Sequence, residues 1–191
     1  MALRHAILSA LSRGEPRTGY ELNASFRSNV DRAWQASPSQ VYAELTRMEQ
    51  AGYIKINERD ERGRTEYVIT AGGMDELRRW LVHDNVDRSI RDDAILRLLT
   101  VWVLDDETAR YIIEAEIAYQ RKRQMDLRRL IETWNSMRED NRVWRTRRAM
   151  HDLWLAEVNV MLRWLNGLLK SFEEPQRDIA EIFDETSLLD G

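Results

Sequence analysis

Between residues 37 and 52 the apolar positions recur at a helical interval. Val41, Leu45 and Met48 stand at i, i+4 and i+7 and form one stripe. Both ends of the segment are chemically marked. Ser37 occupies the N-cap, Pro38 the first helical position, and Gln40 stands three residues after the cap, which completes a capping box. Gly52 supplies the left-handed residue that stops the helix. The opposite face carries Ser39, Gln40, Ala43, Thr46 and Arg47, with Tyr42 at its edge, so it is short-chained, polar and basic. The period then changes to two. Ile54 and Ile56 share a face of a strand over 53–59, residues 60–63 read as a turn with Gly63 free to take positive φ, and 64–69 return as a second strand. Thr70 caps a further helix from 71 to about 83, with Leu77, Trp80 and Leu81 on its apolar side. Upstream, Leu3, Ile7, Leu8 and Leu11 make a first amphipathic helix closed by Gly14 and Pro16, and residues 18–26 make a second.

After residue 83 the pattern lengthens. Residues 84–91 read as a linker and 92–104 as an apolar helix. Asp105 and Asp106 cap a long helix over about 107–139, whose Ile112, Ala115, Tyr119, Leu127, Ile131, Trp134 and Met137 keep near-helical spacing. Its middle, 120–124, is charged all round and is expected to be solvated. A last long helix covers about 142–172, with Met150, Trp154, Met161, Leu165, Leu168 and Phe172 at threes and fours, widened by Leu153, Val158 and Leu162. Pro175 ends it, and 175–191 read as an acidic tail, a weak helix at most from 181. Helices about 45 Å long cannot bury such stripes against one small domain. They need each other and a second copy, so Leu99, Trp102, Trp134, Trp154, Met161, Leu165 and Leu168 are expected at a homodimer interface. The competing solution is a self-contained helical hairpin on a monomer.

The order helix, helix, helix, strand, strand, helix is that of a winged helix-turn-helix. The fold class predicted is therefore mainly α with a small β-hairpin wing: a winged helix-turn-helix domain over 1–83, a linker over 84–91, a helical dimerisation domain over 92–174 and an acidic tail over 175–191. A winged helix places its third helix in the DNA major groove. The same elements also fit a small α+β domain, or a winged helix that binds proteins without DNA.

Four segments, in order, carry a family resemblance. The run from Leu8 to Leu11 followed by Thr18-Gly19-Tyr20-Glu21-Leu22 matches a pattern written HGYEL, with Thr18 in place of the histidine. Ser37 to Leu45 matches SPGQIYPxL, with Ser39 and Ala43 replacing Gly and Pro. Arg47-Met48-Glu49 and then Gly52-Tyr53 match RLExxGL, and Tyr67 to Gly72 match YxLTxxG. Residues 1 to about 83 thus resemble the PadR family of bacterial transcriptional regulators, and the helical remainder resembles the longer subfamily by architecture. The resemblance implies a homodimeric repressor on an inverted-repeat operator in double-stranded DNA. Tyr20, Ser39, Gln40, Tyr42, Ala43 and Arg47 would approach the DNA from the second and third helices, and Arg62, Gly63 and Arg64 from the wing. It also implies a small aromatic or hydrophobic effector, for which Trp102, beside the linker, is the residue singled out.

Charge changes the picture somewhat. The 191-residue chain is at −4, and residues 1–90 balance 13 Lys+Arg against 13 Asp+Glu. Net charge therefore gives DNA binding no support, and placement has to: Arg47, Lys55, Arg59, Arg62 and Arg64 fall on the third helix or wing. The acidity keeps the protein–protein alternative open. Seven tryptophans are many for this length; burial in the core and dimer interface is the plain reading, an effector pocket the sharper one. There are no cysteines, which suits a reducing cytoplasm, and no signal peptide or spanning segment is evident. His5, His83 and His151 fall on three separate helices without ligand spacing, and no nucleophile–base set or phosphate loop is visible, so no metal, cofactor or catalytic residue is expected.

Overall fold

The computed structural model describes residues 2–26, 36–59, 64–84, 86, 92–136 and 141–185. The chain divides into two compact units, Met1–Arg88 and Ser89–Gly191.

The first unit holds α1 (Ala2–Leu11), β1 (Arg17–Thr18), α2 (Gly19–Ser25), α3 (Pro38–Gln50), β2 (Ile54–Arg59), β3 (Thr65–Ile69) and α4 (Ala71–His83). Local chemistry sets the helix ends. Ser37 and Gln40 form the reciprocal capping box, Thr70 accepts from the Gly73 N–H, and Gly14 and Gly52 take φ of 81° and 72°. Gly52 reaches this conformation without the cost a side chain would add. The sheet order is β1-β3-β2, all antiparallel, with Ile54 opposite Ile69 and Ile56 opposite Tyr67 before a bulge shifts the register to Glu58 opposite Glu66. β1 has no signature in the hydrophobic pattern, because two residues carry no period. Ile7, Leu8 and Leu11 from α1, Leu22 from α2, Val41, Leu45 and Met48 from α3, Ile54 and Leu77 close one core. Each such side chain contributes about 1.5–3 kcal/mol. His5 lies in this core, with Nε2 3.1 Å from Glu76 Oε1 and its ring stacked on Trp80 at 4.6 Å. The Arg79 guanidinium first, then His5, hold the Glu76 carboxyl below the ordinary range against the opposing effect of burial.

The second unit holds α5 (Asp93–Leu99), a 3-10 turn (Val101–Val103), α6 (Asp106–Ser136), α7 (Arg142–Glu173) and α8 (Ile179–Glu185). The single helix expected over 92–104 is broken at Thr100. Its hydroxyl donates to the carbonyls of Leu96 (3.0 Å) and Arg97 (3.2 Å), closing α5 before buried Val101. α6 and α7 pack as an antiparallel pair. Trp144 Nε1 donates to the Trp134 carbonyl at 2.9 Å near one end, and Gln124 Nε2 donates to Asn159 Oδ1 at 2.6 Å near the middle.

Three expectations change here. The middle of α6 is not solvated all round: Gln120 and Arg123 are buried, because the seam through Ile113, Ile117, Leu127 and Ile131 passes through them. Leu165 is 0 % exposed within its own chain, so it is core and leaves the set of interface residues. The region from 175, expected as an acidic tail with at most a weak helix from 181, holds a packed helix: α8 buries Ile182, and the Phe183 ring lies over Gly167, where a Cβ would come within 2.9 Å of the ring. The 84–91 linker lies mostly outside the described residues.

Candidate nucleic-acid interface

The exposed face of α3 is built from its cap inward. The Ser37 N–H donates to Gln40 Oε1 at 2.9 Å and the Gln40 N–H returns to Ser37 Oγ at 3.4 Å, which commits the Gln40 side-chain carbonyl to the helix end. The Ser39 hydroxyl sits 3.0 Å from that of Ser37. Ser39, Gln40, Ala43, Thr46 and Arg47 are exposed, while Val41, Glu44, Leu45 and Met48 are buried. The face expected from the spacing is thus presented as one surface.

Arg47 is aimed by a partner that the hydrophobic pattern does not reveal. Glu44 is nearly buried and accepts from Arg47 Nη1 at 2.9 Å and from Arg4 Nε of α1 at 3.3 Å. The Arg47 side chain remains 66 % exposed, so the guanidinium is oriented yet keeps donors facing outward. The i,i+3 spacing of Glu44 and Arg47 is a signal legible in the sequence. The Arg4 contact, forty residues away, is not.

Tyr20 is 72 % exposed and Tyr42 48 %. They flank the same junction of α2 and α3, since Gly19 lies against the Tyr42 ring: a Cβ there would come 2.6 Å from Tyr42 Cε1. α2 is itself pinned by a capping box in which the Thr18 N–H and hydroxyl donate to Glu21 at 2.8 and 2.9 Å. Those two hydrogen bonds, followed by the charges of Arg64 and Arg17, hold the Glu21 carboxyl below its ordinary range. Arg64, just before β3, is thus in electrostatic reach of α2, and its side chain is exposed. Arg62 and Gly63 lie outside the described residues.

The arrangement offers a small-residue helix face for a groove, an oriented guanidinium for a base edge or phosphate, and two tyrosine hydroxyls at its border. Among the described residues no group of His, Cys, Asp and Glu is placed to hold a metal ion. Among the described residues no helix is long and apolar enough to cross a membrane.

Residues 7–79 match the model of the transcriptional regulator PadR-like family. The chain is 26% identical over 129 residues, 65% of its length and 70% of the relative's, to the negative transcriptional regulator PadR of Bacillus subtilis (strain 168). Its fold is similar to the crystal structure of Bacillus subtilis PadR in complex with operator DNA, with a TM-score of 0.76 at 21% identity, covering 90% of this chain and 97% of that one. It is similar also to the same protein in complex with p-coumaric acid, with a TM-score of 0.70 at 22% identity, covering 91% and 100%.

Proposed function

We propose, on the premise that residues 7–79 match the PadR-like family of transcriptional regulators, that this chain is a homodimeric repressor that binds an inverted-repeat operator. α3 enters the major groove with Ser39, Gln40, Ala43 and Arg47 toward the base edges. Tyr20 and Tyr42 border the groove, and Arg62 and Arg64 meet the backbone from the wing. The observation that carries this reading is the exposed face of α3 with Arg47 aimed by the buried Glu44. The solved relative bound to operator DNA supports it. Arg47→Ala and Tyr42→Ala are each expected to weaken binding to DNA upstream of the protein's own gene by about 1–3 kcal/mol, roughly 5- to 150-fold, with the fold intact. Fluorescence anisotropy at about 150 mM salt measures this. Unchanged affinity in both variants removes α3 from the mechanism. A wild-type chain that retards no duplex leaves the protein–protein module as the reading.

The effector is proposed to be a small aromatic compound, supported by the relative solved with p-coumaric acid. Trp102 is 75 % exposed within one chain, beside exposed Leu99 and Val103, so it is open to a ligand or to a second copy. Titration with p-coumaric acid as the probe is expected to quench tryptophan fluorescence, and Trp102→Ala to remove most of the quench. Coupling to operator binding of about 1–3 kcal/mol should be reciprocal. An undiminished quench in Trp102→Ala places the site elsewhere.

A further inference from the structure

Charge in this chain is segregated. Between residues 121 and 148 ten Lys or Arg stand against four Asp or Glu, although the whole chain is at −4. Much of this surplus lies on one surface. At about 100° per residue, Arg121, Lys122, Arg128 and Arg129 fall within one sector of α6, on the side away from the stripe of Gln120, Leu127 and Ile131 that is buried against its own chain. All four are exposed, in two pairs about 10 Å apart along the helix. Two carboxylates share the surface, Glu132 and Asp126, the latter 3.9 Å from Arg129, so the positive charge is in excess. The antiparallel pairing brings the start of α7 to the same end, where Arg148 Nε donates to Asn135 Oδ1 at 3.0 Å, and adds exposed Arg142.

We propose that this basic face of α6 is a second, sequence-independent contact surface for the phosphate backbone of duplex DNA. Three features favour DNA as the occupant. Met125 is the lone large apolar side chain of the face, and protein-binding patches need aromatic or aliphatic anchors, which a row of Arg and Lys lacks. α6 exposes Tyr111 and Tyr119 beyond this face, whereas a repeating row of exposed apolar side chains suited to a second copy stands on the other long helix, where Val143, Met150, Leu153 and Val160 recur at sevens and threes. The first unit, finally, has no net charge to supply the non-specific attraction on which operator search depends, and a duplex presents about one negative charge per 1.7 Å.

The inference rests on the DNA-binding reading, and one experiment separates the two. Binding of the full chain to its operator and to a random-sequence duplex is measured across a salt series, for wild type and for the variant Arg121→Gln, Lys122→Gln, Arg128→Gln, Arg129→Gln. The variant is expected to bind both duplexes more weakly. Its slope of log K against log salt should be shallower by about 0.9 for each phosphate it no longer neutralises, with sedimentation and circular dichroism unchanged. Replacing the three arginines by lysine should keep the wild-type slope. Equal affinities and slopes overturn the proposal while leaving the winged-helix reading intact. A variant that dissociates into monomers overturns it by assigning the face to the subunit contact. A variant that binds DNA normally but loses an acidic protein partner overturns it by assigning the face to that partner. A wild type that binds neither duplex sinks both readings.

Discussion

Cutting the chain after Arg88 is expected to leave a folded monomer that binds the operator about 10²- to 10⁴-fold more weakly than the full chain. The first unit closes its core from its own residues, Ile7 through Leu77, so it retains its structure without the second. What disappears is the second copy. The second unit leaves Val143, Met150, Leu153 and Val160 exposed along α7 and Leu99, Trp102 and Val103 exposed about the end of α5. Covering these residues is the driving force proposed for dimerisation. A dimer makes the second half-site contact intramolecular, and truncation removes that advantage. Sedimentation at micromolar concentration and binding to full and half operators measure the two effects. A full chain that sediments as a monomer, or a truncated one that binds the full operator undiminished, contradicts this reading.

Gly73→Ala is expected to destabilise the first unit by more than about 3 kcal/mol, while Gly72→Ala stays near neutral. The two glycines are adjacent in the first turn of α4 and differ in their surroundings. A Cβ on Gly73 would fall inside the van der Waals envelope of the Tyr53 carbonyl oxygen and 3.0 Å from Ile69 Cγ1. That oxygen cannot move aside, because it accepts from both the Thr70 N–H and the Thr70 hydroxyl, each at 3.0 Å. A Cβ on Gly72 would meet only Thr70 Oγ1 at 3.7 Å and the Gly52 oxygen at 3.8 Å, which is ordinary contact. Chemical denaturation of the full chain, followed by a signal from the first unit, gives both numbers. Equal stabilities for the two variants would show that α4 is not held against the start of β2 as described.

The sequence by itself determined what neighbours within a few residues decide. The capping box of Ser37 and Gln40, the stop at Gly52 and the cap at Thr70 are local hydrogen-bond and dihedral requirements, so α3 and α4 were legible with their ends. The alternation at Ile54 and Ile56 likewise marked β2, and the outward residues of α3 followed once its buried stripe was known. The family resemblance also came from these local segments, because their turn and cap residues stand at fixed intervals.

Tertiary structure decided whatever depends on a distant partner. β1 exists because Arg17 and Thr18 find β3, and nothing in two residues announces it. Glu44 aims Arg47 only because α1 brings Arg4 to the same carboxylate. Gln120 and Arg123 look solvated in a charged run, yet they lie on the seam that α7 covers, where Gln124 meets Asn159. Leu165 has the spacing of an interface residue and is core, and residues 179–185, read as acidic tail with at most a weak helix from 181, form a helix buried through Ile182. A helical period shows which residues share a face. The covering of that face is decided by segments far along the chain, which here separated the core of the second unit from the surface proposed for its second copy.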